Sequence, residues 1–217
     1  MTALMTAGSA AAATISIDSG QYVGEDATAV GAVGGAGYTS DGNVLIISGG
    51  TFTGGMGGPG GSGGGFGPPE FAGRGGDGLV AIDTDLTISG GAFTGGPSGT
   101  PAFLGDGRAI VLINSDAVVT GGIIQGGTLP SGGATDEFFV DRNSSLTLKG
   151  DFEAFTRSTS GDQRITVTGT LAGNSAAQEY QIFLASSSEF QILPVPEPHA
   201  LAVLLVGAPM LLRRIRA

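Results

Sequence analysis

The chain has 217 residues with 42 glycines and 10 prolines, yet only 13% are charged and mean hydropathy is +0.27. One domain with a real core is expected at this length, and the apolar balance excludes a charge-swollen disordered chain, so a fold must use the glycines. Nineteen acids against nine bases give a net charge of −10, which argues against nucleic-acid binding, and the lack of cysteine excludes disulfides, thiolate metal sites and a cysteine nucleophile.

The N-terminal stretch "MTALMTAGSAAAATISID" is small and apolar, and Ala11-x-Ala13 before Thr14 suits a signal-peptidase site. No Lys or Arg precedes it. Residues 1–13 therefore read as the remnant of a signal peptide that starts upstream, with an ordinary Ala-rich terminus as the alternative.

Residues 14–190 carry an internal repeat. The segments "VLIISGGTFTGG" (Val44 to Gly55), "DLTISGGAFTGG" (Asp85 to Gly96), "AVVTGGIIQGG" (Ala117 to Gly127) and "SLTLKGDFEAF" (Ser145 to Phe155) share one pattern, and "RITVTGTLAGN" (Arg164 to Asn174) is a weaker fifth copy. Aligned on Ile47, Ile88, Val119, Leu148 and Val167, the copies are 41, 31, 29 and 19 residues apart. A constant motif with shrinking gaps suits stacked rungs with variable loops. Within a copy, Leu86 and Ile88 point one way and Thr87 and Ser89 the other, the period of a half-buried strand. The Gly pair then turns the chain, Phe93 opens a second short strand, and a further strand precedes each motif at Leu79 to Ile82, Arg108 to Ile113 and Phe138 to Val140. Three short strands per unit predict an all-β fold, a right-handed parallel β-helix of about five irregular coils, closed by a C-terminal hydrophobic helix. An antiparallel sandwich is the alternative. The rhythm resembles that of pectate-lyase-like β-helices, without any specific enzyme motif.

Between the first two copies, residues 54–78 ("GGMGGPGGSGGGFGPPEFAGRGGDG") are too rich in Gly and Pro to pack regularly and are expected to loop off the stack. No Gly-Lys-Ser/Thr follows, so a phosphate-binding loop is excluded. Calcium is the one cofactor to weigh. Asp77, Asp83 and Asp85 crowd "GRGGDGLVAID", and Asp106 would sit above Asp77 if the two "GDG" turns stack. Asp before Gly is also ordinary turn chemistry, and the expectation is no resident cofactor.

Catalysis has few candidates. The single His199 falls in the tail, so the body offers no histidine base. Carboxylate pairs drawn from Asp136, Glu137, Asp106 and Asp141, with Arg108 or Arg142 beside them, are the material for a polysaccharide lyase or hydrolase, and equally for solvated turns. There is no Trp, and Tyr22, Tyr38 and Tyr180 are a thin supply of sugar-stacking rings. No enzymatic role is expected. Exposed Thr51, Thr53, Thr87, Thr94 and Thr120 suit O-linked sugars or a polar face toward polysaccharide.

The tail, 191–217, has a different character. Pro196 and Pro198 stiffen an extended spacer around Glu197. Ala200 to Leu212 is 13 residues without a charge, and Arg213, Arg214 and Arg216 end it, positions that would hold the terminus on the cytoplasmic side. In order and kind, Pro196-Glu197-Pro198, the apolar run and the arginines resemble the PEP-CTERM sorting signal. The resemblance implies an exosortase as partner, a membrane-associated stage, and export to the envelope or extracellular matrix of a Gram-negative bacterium rich in exopolysaccharide. The expected function is a structural or adhesive surface protein, with a polysaccharide-acting enzyme or a Ca²⁺-binding module as alternatives.

Overall fold

The computed structural model describes residues 12–61, 71–100, 105–127, 136–157 and 164–195, and these are all-β, without a helix. The expected C-terminal helix and residues 1–11 lie outside them. Sixteen strands follow in order: β1 (Thr14–Ile17), β2 (Gln21–Val23), β3 (Tyr38–Asp41), β4 (Val44–Ile47), β5 (Thr51–Thr53), β6 (Leu79–Ile82), β7 (Asp85–Ile88), β8 (Ala92–Thr94), β9 (Ile110–Ile113), β10 (Asp116–Val119), β11 (Ile123–Gln125), β12 (Phe138–Val140), β13 (Ser145–Arg157), β14 (Arg164–Leu171), β15 (Gln178–Leu184) and β16 (Glu189–Leu193).

They form three parallel ladders. In the first, β1, β4, β7, β10, β13 and β16 pair so that Ile17, Ile47, Ile88, Val119, Leu148 and Ile192 align. In the second, β2, β5, β8 and β11 align Tyr22, Phe52, Phe93 and Ile124. In the third, β3, β6, β9, β12 and β15 align Tyr38, Leu79, Ile110, Phe138 and Ile182. The inward members form one core, nearly all fully buried, and burying each such side chain is worth about 1.5–3 kcal/mol. Tyr22, Phe52 and Phe93 stack with centroids 4.8 Å apart, the spacing of neighbouring strands, so backbone pairing sets the ring stacking. The first and third ladders join into one curled, mostly parallel sheet.

Each corner follows from local chemistry. Gly20, Gly50, Gly91 and Gly122, each the second residue of the Ser-Gly or Gly-Gly step, have φ between 94° and 117°, a region that glycine enters without strain. Asp83, Asn114 and Asn143 occupy the left-handed region at the opposite corner, where Asp and Asn are tolerated. Behind that corner runs a buried hydroxyl ladder. The Thr84 N–H donates to Ser115 Oγ (3.0 Å) and the Ser115 N–H to Ser144 Oγ (3.1 Å).

The weaker fifth copy is not a rung. In the fourth copy Asp151 stands where Gly50, Gly91 and Gly122 turn, so the chain continues as the 13-residue β13. β13 then pairs antiparallel with β14, which pairs antiparallel with β15. This meander closes one end of the stack, and Ile192, not Val167, follows Leu148. Because β16 runs to Leu193, the stack extends past the expected limit at residue 190. An unrecognised copy, "ISIDSGQYV", starts it.

The glycine-rich arms also differ from expectation, since residues 54–61 and 71–78 pack within the stack. The N–H groups of Gly54, Gly57 and Gly60 donate to the carbonyls of Thr94, Pro97 and Thr100, while Gly55 and Gly58 donate the other way, to Gly35 and Ala32. Sideways bonding with a three-residue period is the geometry of polyproline II chains packed together. A zigzag then runs from Gly127 through Gly107, Gly96, Gly76, Gly55 and Gly35 to Glu25, each N–H donating to the next carbonyl at 2.7–2.9 Å.

Asn174 closes the second ladder. Its amide accepts from the Gly122 N–H (3.0 Å) and donates to the Gly122 carbonyl (2.8 Å), doing for β11 what a further strand would do. Asn174→Ala leaves both groups without that partner and is expected to cost about 1–2 kcal/mol, read as a lower urea midpoint with an unchanged m-value.

Candidate functional site

On the outer side of the third ladder, Val80, Val111, Phe139 and Phe183 lie in register across β6, β9, β12 and β15, and Arg164 of β14 extends the row. The cause is local, because strands whose inward positions are apolar place every second residue outside, and here those residues are apolar too. Phe139 and Phe183 stack at 5.4 Å and 9°. The Arg108 guanidinium covers Phe139, its carbon 4.0 Å from the ring centroid, a cation–π contact.

Charges alternate around this row. Asp77 accepts from the Arg74 guanidinium and, at 2.8 Å, from the Arg108 main-chain N–H. Asp136 pairs with Arg164 (Nε to Oδ1 3.1 Å). Arg74, Arg108 and Arg164 are half of the six bases ahead of the tail. The Arg108 side chain has no hydrogen-bond or ion-pair partner among the described residues. Burial, and then the charge of Arg74, hold its pKa below the usual value.

Next to the row, Glu137 is 8% exposed and accepts from the Gln181 N–H at 2.6 Å. Burial pushes its carboxyl up to about 7, against the pull of that hydrogen bond, and the Asp136 charge adds to the rise. Tyr180, fully buried, is raised to about 12 by burial and then by Glu137.

The remaining candidates are scattered. Asp106 is not above Asp77, since β6 and β9 align on their apolar runs and Arg108 falls level with Asp77, two residues past the "GDG" alignment. Asp106 is buried and accepts from the Ser98 N–H at 2.7 Å. Asp83 sits at a corner with Asn114, and Asp85 is exposed beside its register partner Asp116. Among the described residues no three His, Cys, Asp or Glu side chains gather as metal ligands. Asp141 is half-buried and Arg142 exposed at the Asn143 corner, two and three residues past Phe139. Thr51 and Thr87 are exposed, with Thr53, Thr94 and Thr120 half-buried. Tyr22 and Tyr38 pack against the core rather than offering outer platforms. Pro196, Glu197, Pro198, His199, Arg213, Arg214 and Arg216 lie outside the described residues. Sequence reasoning missed Phe139 and Phe183. Their signal was an apolar residue at an outward position, in "FFV" and "IFL".

No family model, curated protein or solved structure matches the chain.

Proposed function

We propose that the protein is an exported structural and adhesive component of a bacterial envelope or extracellular matrix, handed to an exosortase through Pro196-Glu197-Pro198 and in contact with exopolysaccharide. Its body, on this reading, is a right-handed parallel β-helix of five coils, β1–β3 through β13–β15. The support for the helix is the regular succession of three strands per repeat from β1 to β12, each strand parallel to its counterpart in the neighbouring repeat, with β13 and β15 continuing the first and third ladders around the antiparallel β14.

One observation carries the sorting reading. The last described strand ends at Leu193, three residues before Pro196, so the motif, the apolar run and the arginines all come later in the sequence than every described strand. A recognition sequence that contributes to none of the described strands can be bound without opening them. The outward rows of the ladders supply the adhesive surface, since each coil repeats its side chains at strand spacing.

The test is cell fractionation of the full chain beside a version ending at Val195 and one with Pro196, Glu197 and Pro198 all changed to Ala. The full chain is expected in the membrane and surface fractions, and both variants in the soluble fraction. Identical partitioning of all three removes the sorting reading.

A further inference from the structure

The Arg108–Phe139–Phe183–Arg164 row has the parts of a receptor for a carboxylated sugar chain. A guanidinium held over the face of an aromatic ring is restricted before any ligand arrives, so less side-chain entropy is lost on binding. Arg108 is so held, 4.0 Å above Phe139, and its N–H groups are not taken up by Asp77, Asp136 or any other described residue. The nearby carboxylates are already engaged, Asp77 by Arg74 and Asp136 by Arg164. Arg108 is thus the cation of the group whose fork has no hydrogen-bond partner among the described residues, and forks match carboxylates in two parallel hydrogen bonds. Beside it the ring of Phe183 continues the stack, and Val80 and Phe139 are half-buried rather than covered. A flat, partly apolar row ending in a second arginine is the complement of a polymer that alternates sugar faces with carboxylates.

We propose that this row binds an acidic polysaccharide, with the Arg108 guanidinium taking a uronate carboxylate and Phe139 and Phe183 supporting it. The proposal rests on the polysaccharide contact in the proposed function but not on the sorting signal. Fractionation measures delivery and the experiment below measures binding, so either can fail while the other stands.

Titration of the full chain with polygalacturonate, and with the same polymer as its methyl ester, tests it. Binding is expected for the acid and not for the ester, weakening with added salt. Arg108→Gln is expected to lose about tenfold in affinity, and Arg108→Lys most of that factor, because a lysine keeps the charge but not the flat fork. Arg142→Gln, on an exposed residue at the Asn143 corner that is not a member of the row, is expected to stay within about twofold, matching a neutral surface change. Circular dichroism checks that every variant keeps its strands. The proposal is overturned if the acid polymer does not bind, if the ester binds equally well, or if a folded Arg108→Gln or Arg108→Lys protein binds like the wild type.

Discussion

Gly76→Ala is expected to destabilise the protein by about 3 kcal/mol or more, near the upper end of overpacking effects, while Gly42→Ala costs about 1 kcal/mol. The two glycines are needed for different reasons. Gly42 has φ +66° and open space around its missing Cβ, so alanine there meets only backbone strain. Gly76 is not in the left-handed region, but a Cβ on it would fall well inside contact distance of the Gly35 and Gly34 carbonyls. Those groups cannot withdraw cheaply. Gly35 O accepts from the Gly55 N–H, Gly76 N–H donates to Gly55 O, and Gly96 N–H donates to Gly76 O, so moving one arm breaks bonds in the next. The situation is that of the crowded collagen axis, where only glycine fits. Urea unfolding of both variants checks the order, and equal costs at the two sites would contradict the packed-arm account.

Glu137→Gln is expected to stabilise the protein by about 2–3 kcal/mol at pH 8 and to change little near pH 4.5. The folded pKa is raised from 4.5 to about 7, chiefly by burial. The native state therefore keeps a proton that the unfolded chain releases. The favourable contribution of the neutral carboxyl is fully present below 4.5 and is lost as pH rises through 7. Glutamine is uncharged throughout and keeps an oxygen for the Gln181 N–H, so this part of the pH dependence should vanish from the variant. Comparing urea midpoints of the two proteins between pH 4.5 and 8 is the check. Parallel stability curves would mean that Glu137 titrates normally in the fold.

Much of the architecture was legible because it rests on local rules. Leu86 and Ile88 alternate with Thr87 and Ser89, and that alone places one pair inside. Gly91 marks the corner because Gly50 and Gly122 hold the same place in two other copies. The same rules give the expected strands at Leu79, Phe93, Ile110 and Phe138. The candidate site was less readable. Arg108 and Asp136 were named for lyase-like chemistry, but the Arg74–Asp77 pair beside Arg108 and the Arg164 that pairs with Asp136 come from two other segments, and the Phe139–Phe183 stack joins strands more than forty residues apart.

Periodicity and glycine placement, then, determined by themselves that the described part of the chain is all-β, repetitive and built of short strands turning at fixed points, because backbone sterics and side-chain alternation act within a few residues. Register and the fate of the glycine-rich arms were decided only by tertiary structure. Asp77 meets Arg108 rather than Asp106 because burying Leu79 on Ile110 outweighs matching two similar turns. Residues 54–61 and 71–78 pack because hydrogen-bond partners on neighbouring segments satisfy backbones that, taken alone, have nothing to pair with.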